Sequence, residues 1–96
     1  MDQITRICEM EAIFREASAS LLQLSRALED YAALQPRLAR LEAYYTSSLW
    51  LSDYAADEAG CLPKDLPRGI LSQDGIWTLL TTRTQLLQQM AELSQK

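Results

Sequence analysis

The stretch Ile7-Cys-Glu-Met10-Glu-Ala-Ile-Phe14-Arg-Glu-Ala17-Ser-Ala-Ser-Leu21-Leu-Gln-Leu24-Ser-Arg-Ala-Leu28-Glu-Asp-Tyr31 decides the fold class. Ile7, Phe14, Leu21 and Leu28 recur at seven-residue intervals, and Met10, Ala17, Leu24 and Tyr31 fill the register between them. Alternating steps of three and four residues bring these side chains onto one face of a helix. Asp2 stands where a carboxylate can cap that helix or complement its dipole. The pattern predicts a first helix over about 2–34, roughly 50 Å long at 1.5 Å per residue.

Pro36 is the next signal. Proline disfavours helix at Gln35 and lacks a backbone donor, yet it suits the first turn of a new helix. The favoured reading is a tight hairpin there, because an interior proline costs roughly 3 kcal/mol. A kinked continuous helix is the alternative. No Gly, Asn or Asp marks a turn, and the apolar period runs on through Leu34, Leu38 and Leu41.

A second helix is expected over about 36–59. One stripe reads Leu38, Leu41, Tyr45, Ser48, Leu49, Ser52, Ala56, while Trp50 and Tyr54 lie opposite its lower half with Leu51 beside them. A helix apolar on two sides is covered on two sides. Gly60 fits a left-handed C-cap, Leu62 the accompanying apolar contact, and Pro63 bars continuation. The loop over 60–72 carries Leu62, Leu66, Ile70 and Leu71, and these are the expected cover for Trp50 and Tyr54. Pro67 and Gly69 suit positions two and four of a type I turn. Ser72 reads as an N-cap with Asp74 in the first turn behind it. A third helix follows over about 73–93, with the stripe Ile76, Leu79, Leu80, Leu86, Leu87, Met90, Leu93. The sum is a single all-α domain, 1–96: an antiparallel three-helix bundle with a long first helix and an ordered apolar loop between helices 2 and 3.

Composition narrows the chemistry. The 96 residues hold 9 Lys+Arg against 13 Asp+Glu and no His, a net charge of −4. The acidic balance speaks against binding a phosphate backbone, so no nucleic-acid partner is expected. Without histidine there is no His metal site and no His general base. No run approaches the roughly 20 apolar residues of a membrane span, and the N-terminus lacks the features of a signal peptide. The expectation is a soluble cytoplasmic protein with no membrane partner, in which Cys8 and Cys61 stay reduced.

Two charges interrupt apolar stripes, Glu11 in the first helix and Arg83 in the third. A charge facing a core needs a partner or a route to water. An ion pair or a snorkelling arginine accounts for both. Glu11, Glu16 and Asp53 are the candidate partners of Arg83; an anion-binding arginine is the sharper alternative. The acids Asp53, Asp57, Glu58, Asp65 and Asp74 read as a solvated face plus caps, with a hard-cation site as the alternative. Ser47, Ser48, Ser52 and Cys61 have no histidine to activate them, and Gly60, Gly69 and Gly75 are too scattered for a phosphate cradle. No catalytic residue, cofactor or metal ligand is assigned. The aromatics Tyr44, Tyr45, Trp50, Tyr54 and Trp77 read as packing.

Two segments also carry a resemblance. They are Leu41-Glu-Ala-Tyr44-Tyr45-Thr-Ser-Ser-Leu-Trp50 and Leu62-Pro63-Lys-Asp65-Leu66-Pro-Arg68-Gly69-Ile-Leu71-Ser72-Gln-Asp74-Gly75. With Arg6-Ile7 and Met10-Glu11, they make the chain similar to a small bacterial family, domain-of-unknown-function family 4298. Gln73 and Pro67 depart from that pattern, which tends to carry Glu and a basic residue there. Were that Glu catalytic in the family, Gln73 would put activity in doubt in this chain. The resemblance implies a helical fold and no assigned activity.

The physical reading and the resemblance converge on one patch: Tyr44, Tyr45, Trp50, Asp53, Tyr54, Asp65, Arg68, Gly69, Ser72 and Asp74. Two functions fit. The favoured one is a non-catalytic interaction or assembly module that binds a protein partner or a second copy, with the first helix as the dimer surface. The other is a small ligand- or metal-binding domain, enzymatic or not, built on the patch.

Overall fold

A computed structural model describes residues 2–96. The chain is all-α, with three α-helices and no strand among the described residues: α1 Gln3–Tyr45, α2 Ser48–Glu58 and α3 Gln73–Leu93, with a short 3-10 turn at Gly69–Leu71 before α3. The chain divides into two compact units, one running to Ala39 and the other covering Arg40–Lys96.

In the first unit, Asp2 starts α1 as the sequence suggests. Its Oδ1 accepts from the Thr5 N–H at 2.6 Å, and its carbonyl accepts from the Arg6 N–H at 3.1 Å. The bond from Thr5 holds the Asp2 carboxyl below its ordinary 3.8. A carboxyl whose value is lowered by folding stabilises the helix start above that ordinary value, and the contribution fades as pH falls through the lowered one. The heptad face lies in solvent: Phe14 and Leu21 are each 65% exposed, and Ile7, Met10, Leu24 and Leu28 are exposed as well.

The hairpin predicted at Pro36 is not formed. α1 runs through Pro36 as one helix of 43 residues, so the boundaries expected at 34 and 36 move to Tyr45 and Ser48. The unbroken apolar period and the lack of a turn residue outweigh the proline. Pro36 leaves the Ala32 carbonyl without its usual donor. One residue earlier, the Gln35 side chain reaches back and donates to the Tyr31 carbonyl at 3.0 Å, adding a bond where the ladder is weakened.

The second unit begins where α1 actually stops, at Thr46-Ser47-Ser48. Thr46 Oγ1 donates to the carbonyls of Glu42 at 3.1 Å and Ala43 at 3.3 Å, and Ser47 Oγ donates to Tyr44 at 2.7 Å. Hydroxyls that satisfy the last carbonyls compete with further helix. Ser47, extended at φ −97°, ψ 164°, then stands at the N-cap position of α2.

α2 ends as Gly60 and Pro63 foretell. Gly60 takes φ +72°, the Gly60 N–H donates to Asp57 and the Cys61 N–H to Ala56, both at 3.0 Å. This is the Schellman pair of bonds. The hydrogen-bonded turn of the following loop is not the expected one over 66–69. It lies three residues earlier, over 63–66, with the Leu66 N–H donating to Pro63 at 3.2 Å, and Gly69 opens the 3-10 turn instead. α3 has the predicted bounds, and Ser72 Oγ accepts from the Gly75 N–H at 3.2 Å. Gly75 serves close approach: a Cβ there would lie 3.0 Å from the Gly69 carbonyl oxygen.

Replacing Pro36 by Ala restores a donor to a continuous helix. Pro36→Ala should raise far-UV ellipticity and thermal stability, by up to about 3 kcal/mol. A loss of helix content would contradict the unbroken α1.

Candidate functional site

The unusual residues of the second unit gather around Trp50. This side chain is 3% exposed. Its ring meets Tyr45 edge-on at 5.0 Å between centroids and stacks on Tyr54 at 5.2 Å with an 18° tilt. Its indole N–H donates to the Ile70 carbonyl at 2.9 Å. The loop after Gly60 therefore does fold back on α2, as its apolar content suggested. Leu71 is buried and Leu62 and Ile70 are half-buried, but Leu66 is exposed at 43%, so not every loop leucine joins the cover. Ile76 of α3, 2% exposed, is buried in the same unit.

Two polar links flank this core. The Tyr44 hydroxyl donates to Asp53 Oδ2 at 2.5 Å, tying the end of α1 to α2. The bond and the nearby carboxylate push the Tyr44 phenol above its ordinary 10.0. Arg68 Nη1 donates to Asp57 Oδ1 at 2.7 Å and Nη2 to the Lys64 carbonyl at 3.3 Å, tying the loop to α2. Beside it opens a cavity of about 360 Å³, lined by Tyr54, Asp57, Glu58, Arg68, Leu71, Ser72, Gln73 and Asp74.

The predicted patch thus does not act as one group. Tyr54, Arg68, Ser72 and Asp74 line the cavity. Tyr45, Trp50 and Tyr54 form the aromatic core, and Tyr44 and Asp53 form a link of their own. Gly69 contributes its carbonyl beside Gly75, while Asp65 is exposed in the turn after Pro63. Asp57 is the partner of Arg68, and Glu58 and Gln73 line the same cavity. None of these three is an expected neighbour of Arg68, because pairing across a loop has no local signature in the sequence. No group of three or more Cys, Asp and Glu residues is placed to hold a metal ion among the described residues.

The two interrupting charges are both in ion pairs. Glu11 is exposed, and its Oε1 accepts from Arg15 Nε at 3.2 Å within α1. Arg83 is half-buried, and its Nη1 pairs with Glu42 Oε1, a residue absent from the expected partners Glu11, Glu16 and Asp53. Glu42 and Arg83 are 41 positions apart, a separation at which sequence spacing gives no pairing signal. Cys8 and Cys61 are both free and exposed. No helix among the described residues is long and apolar enough to cross a membrane.

The chain belongs to the family described as Domain of unknown function (DUF4298), whose model matches residues 7–93. The match runs from the exposed face of α1 to the last residue of α3, so both units are part of what the family shares. No curated protein and no solved structure matches the chain.

Trp50 and Tyr44 give separate readouts of this region. Trp50→Phe removes the donor to Ile70 and should cost about 1–3 kcal/mol in chemical denaturation; an unchanged midpoint would deny the bond its role. For Tyr44 the raised phenol value means folding favours the protonated form. The stabilisation is complete below the ordinary 10.0 and is lost as pH climbs through the raised value. Phenolate absorbance should show Tyr44 titrating above the ordinary 10.0, and Asp53→Asn should bring it back toward that value.

Proposed function

We propose that this chain is a helical interaction module that works by presenting an apolar helix face to a protein, without catalysis. The observation that carries the reading is the exposed stripe of α1: Ile7, Met10, Phe14, Leu21, Leu24 and Leu28 share one face, and all are exposed. Contiguous apolar patches of that extent are rare on monomers and mark sites of association. The family match beginning at Ile7 includes this stripe. The polar features of the second unit have structural occupations: Arg68 is paired with Asp57, Arg83 with Glu42, and Tyr44 with Asp53.

The cavity beside Arg68 supports a second reading, a small ligand- or metal-binding domain. It is open and lined mainly by polar side chains, with Asp57, Glu58 and Asp74 set against the single cation Arg68. Ligand sites are more often largely apolar with a few converging polar groups. Thermal-shift screens against nucleotides and divalent metals test it, and a clear shift abolished by Asp74→Asn would favour it over the first reading.

The interaction reading is tested by a pair of substitutions, Phe14→Lys with Leu21→Lys. Both residues are exposed, so the change should leave ellipticity and Trp50 fluorescence as they are. It should abolish association seen by light scattering at high micromolar concentration, or capture of a protein from the native host. If the parent chain is a strict monomer and captures nothing that the double variant loses, the reading fails.

A further inference from the structure

The charges beside the α1 stripe discriminate between the possible occupants of that face. With Ile7, Phe14, Leu21 and Leu28 as heptad position a, and Met10, Ala17, Leu24 and Tyr31 as d, the flanking e positions are Glu11, Ser18, Ser25 and Ala32. The g positions are Arg6, Ile13, Ser20, Ala27 and Leu34. The flanks hold one acid and one base, and these are five residues apart, Arg6 at g and Glu11 at the next e. In a parallel, in-register pair of helices, a g residue faces the e residue of the following heptad on the other chain. Arg6 of each copy then faces Glu11 of the other, twice by symmetry. In an antiparallel pair g faces g and e faces e, and neither charge meets its opposite. Remaining charges of the stretch, Glu9, Arg15, Glu16, Arg26, Glu29 and Asp30, fall at b, c and f, away from the seam.

Two further observations agree. Glu11 Oε1 accepts from Arg15 of its own helix, which leaves Oε2 able to take a second guanidinium. The stripe from Ile7 to Tyr31 spans about three and a half heptads, the length at which a coiled coil is credible.

Resting on the reading of α1 as an association face, we propose that its occupant is a second copy of this chain, paired parallel and in register, with Arg6–Glu11 contacts across the seam. The test uses the full chain with Cys8→Ser and Cys61→Ser, carrying either Ile7→Cys or Leu28→Cys. Each variant should form a disulfide-linked dimer with itself under mild oxidation, because both ends of the seam meet their own copies. Sedimentation equilibrium supplies a second measurement that does not depend on cysteine. Arg6→Glu should weaken the dimer roughly ten-fold, and Arg6→Glu with Glu11→Arg should recover it to within about three-fold.

A dimer in which neither cysteine links to itself overturns the parallel arrangement. A double swap no stronger than the single one overturns the Arg6–Glu11 contact. A chain that stays monomeric yet captures a host protein through Phe14 and Leu21 overturns self-pairing and leaves the interaction reading standing. A monomer that captures nothing overturns both.

Discussion

The burial of Trp50 is the interaction on which the second unit depends. An indole is large and carries one donor that cannot be left unsatisfied in an apolar site. Here the donor reaches the Ile70 carbonyl, and two tyrosines enclose the ring. That single bond fixes where the loop returns to α2. The 3-10 turn follows at Gly69–Leu71, and Leu71 enters the core. Ser72 then begins α3 at a position already set by the loop, and Gly75 can pass close to the Gly69 carbonyl because it has no side chain. Arg68 and Tyr44 reinforce the arrangement from outside. Their partners, Asp57 and Asp53, lie four residues apart on α2, so both links converge on one helix.

How the helices divide follows from a competition that proline loses. Pro36 costs its helix one donor, but the chain around it offers nothing that would hold a turn. Ten residues later, three hydroxyl side chains in succession do offer it: Thr46 and Ser47 satisfy the closing carbonyls, and Ser48 begins α2. The helix ends where its last carbonyls find alternative donors rather than where one donor is missing. The same last turns of α1 carry Glu42, the carboxylate that pairs with the Arg83 cation of α3.

The elements most legible in the sequence were those encoded by neighbours along the chain. Asp2, Gly60 and Ser72 mark helix ends through caps made with near neighbours, Asp74 marks the first turn of α3 by its charge, and the seven-residue period marks the first part of α1. The covering of Trp50 was also legible, since a helix apolar on two sides next to an apolar loop leaves few other arrangements. What was not legible depends on comparison between rival local signals or on pairing across distance. Pro36 and Thr46-Ser47-Ser48 each suggest a boundary, and only their relative strength decides between them. Turn choice in the loop was decided similarly, with Pro63 winning over Pro67. The ion pairs of Arg68 and Arg83 join residues 11 and 41 positions apart, a separation that composition and period do not encode.

The balance of apolar residues ties these points to function. The chain is 48% hydrophobic, yet Leu38, Trp50, Leu71 and Ile76 are the apolar residues buried among those described. A small domain has little surplus stability, and exposed apolar area contributes nothing to it. Random scatter of such residues over a surface would need no explanation. On α1, however, they are ordered by a seven-residue period, with small uncharged residues such as Ser18, Ser20, Ser25 and Ala27 along both margins. Charge is kept off those margins except for Arg6 and Glu11, which have opposite sign. Long charged side chains at such margins would cover part of the apolar stripe with their own stems. With the other charges of the stretch at b, c and f, the stripe is left largely uncovered by its own helix, and it is this ordered, uncovered face on which the proposed association rests.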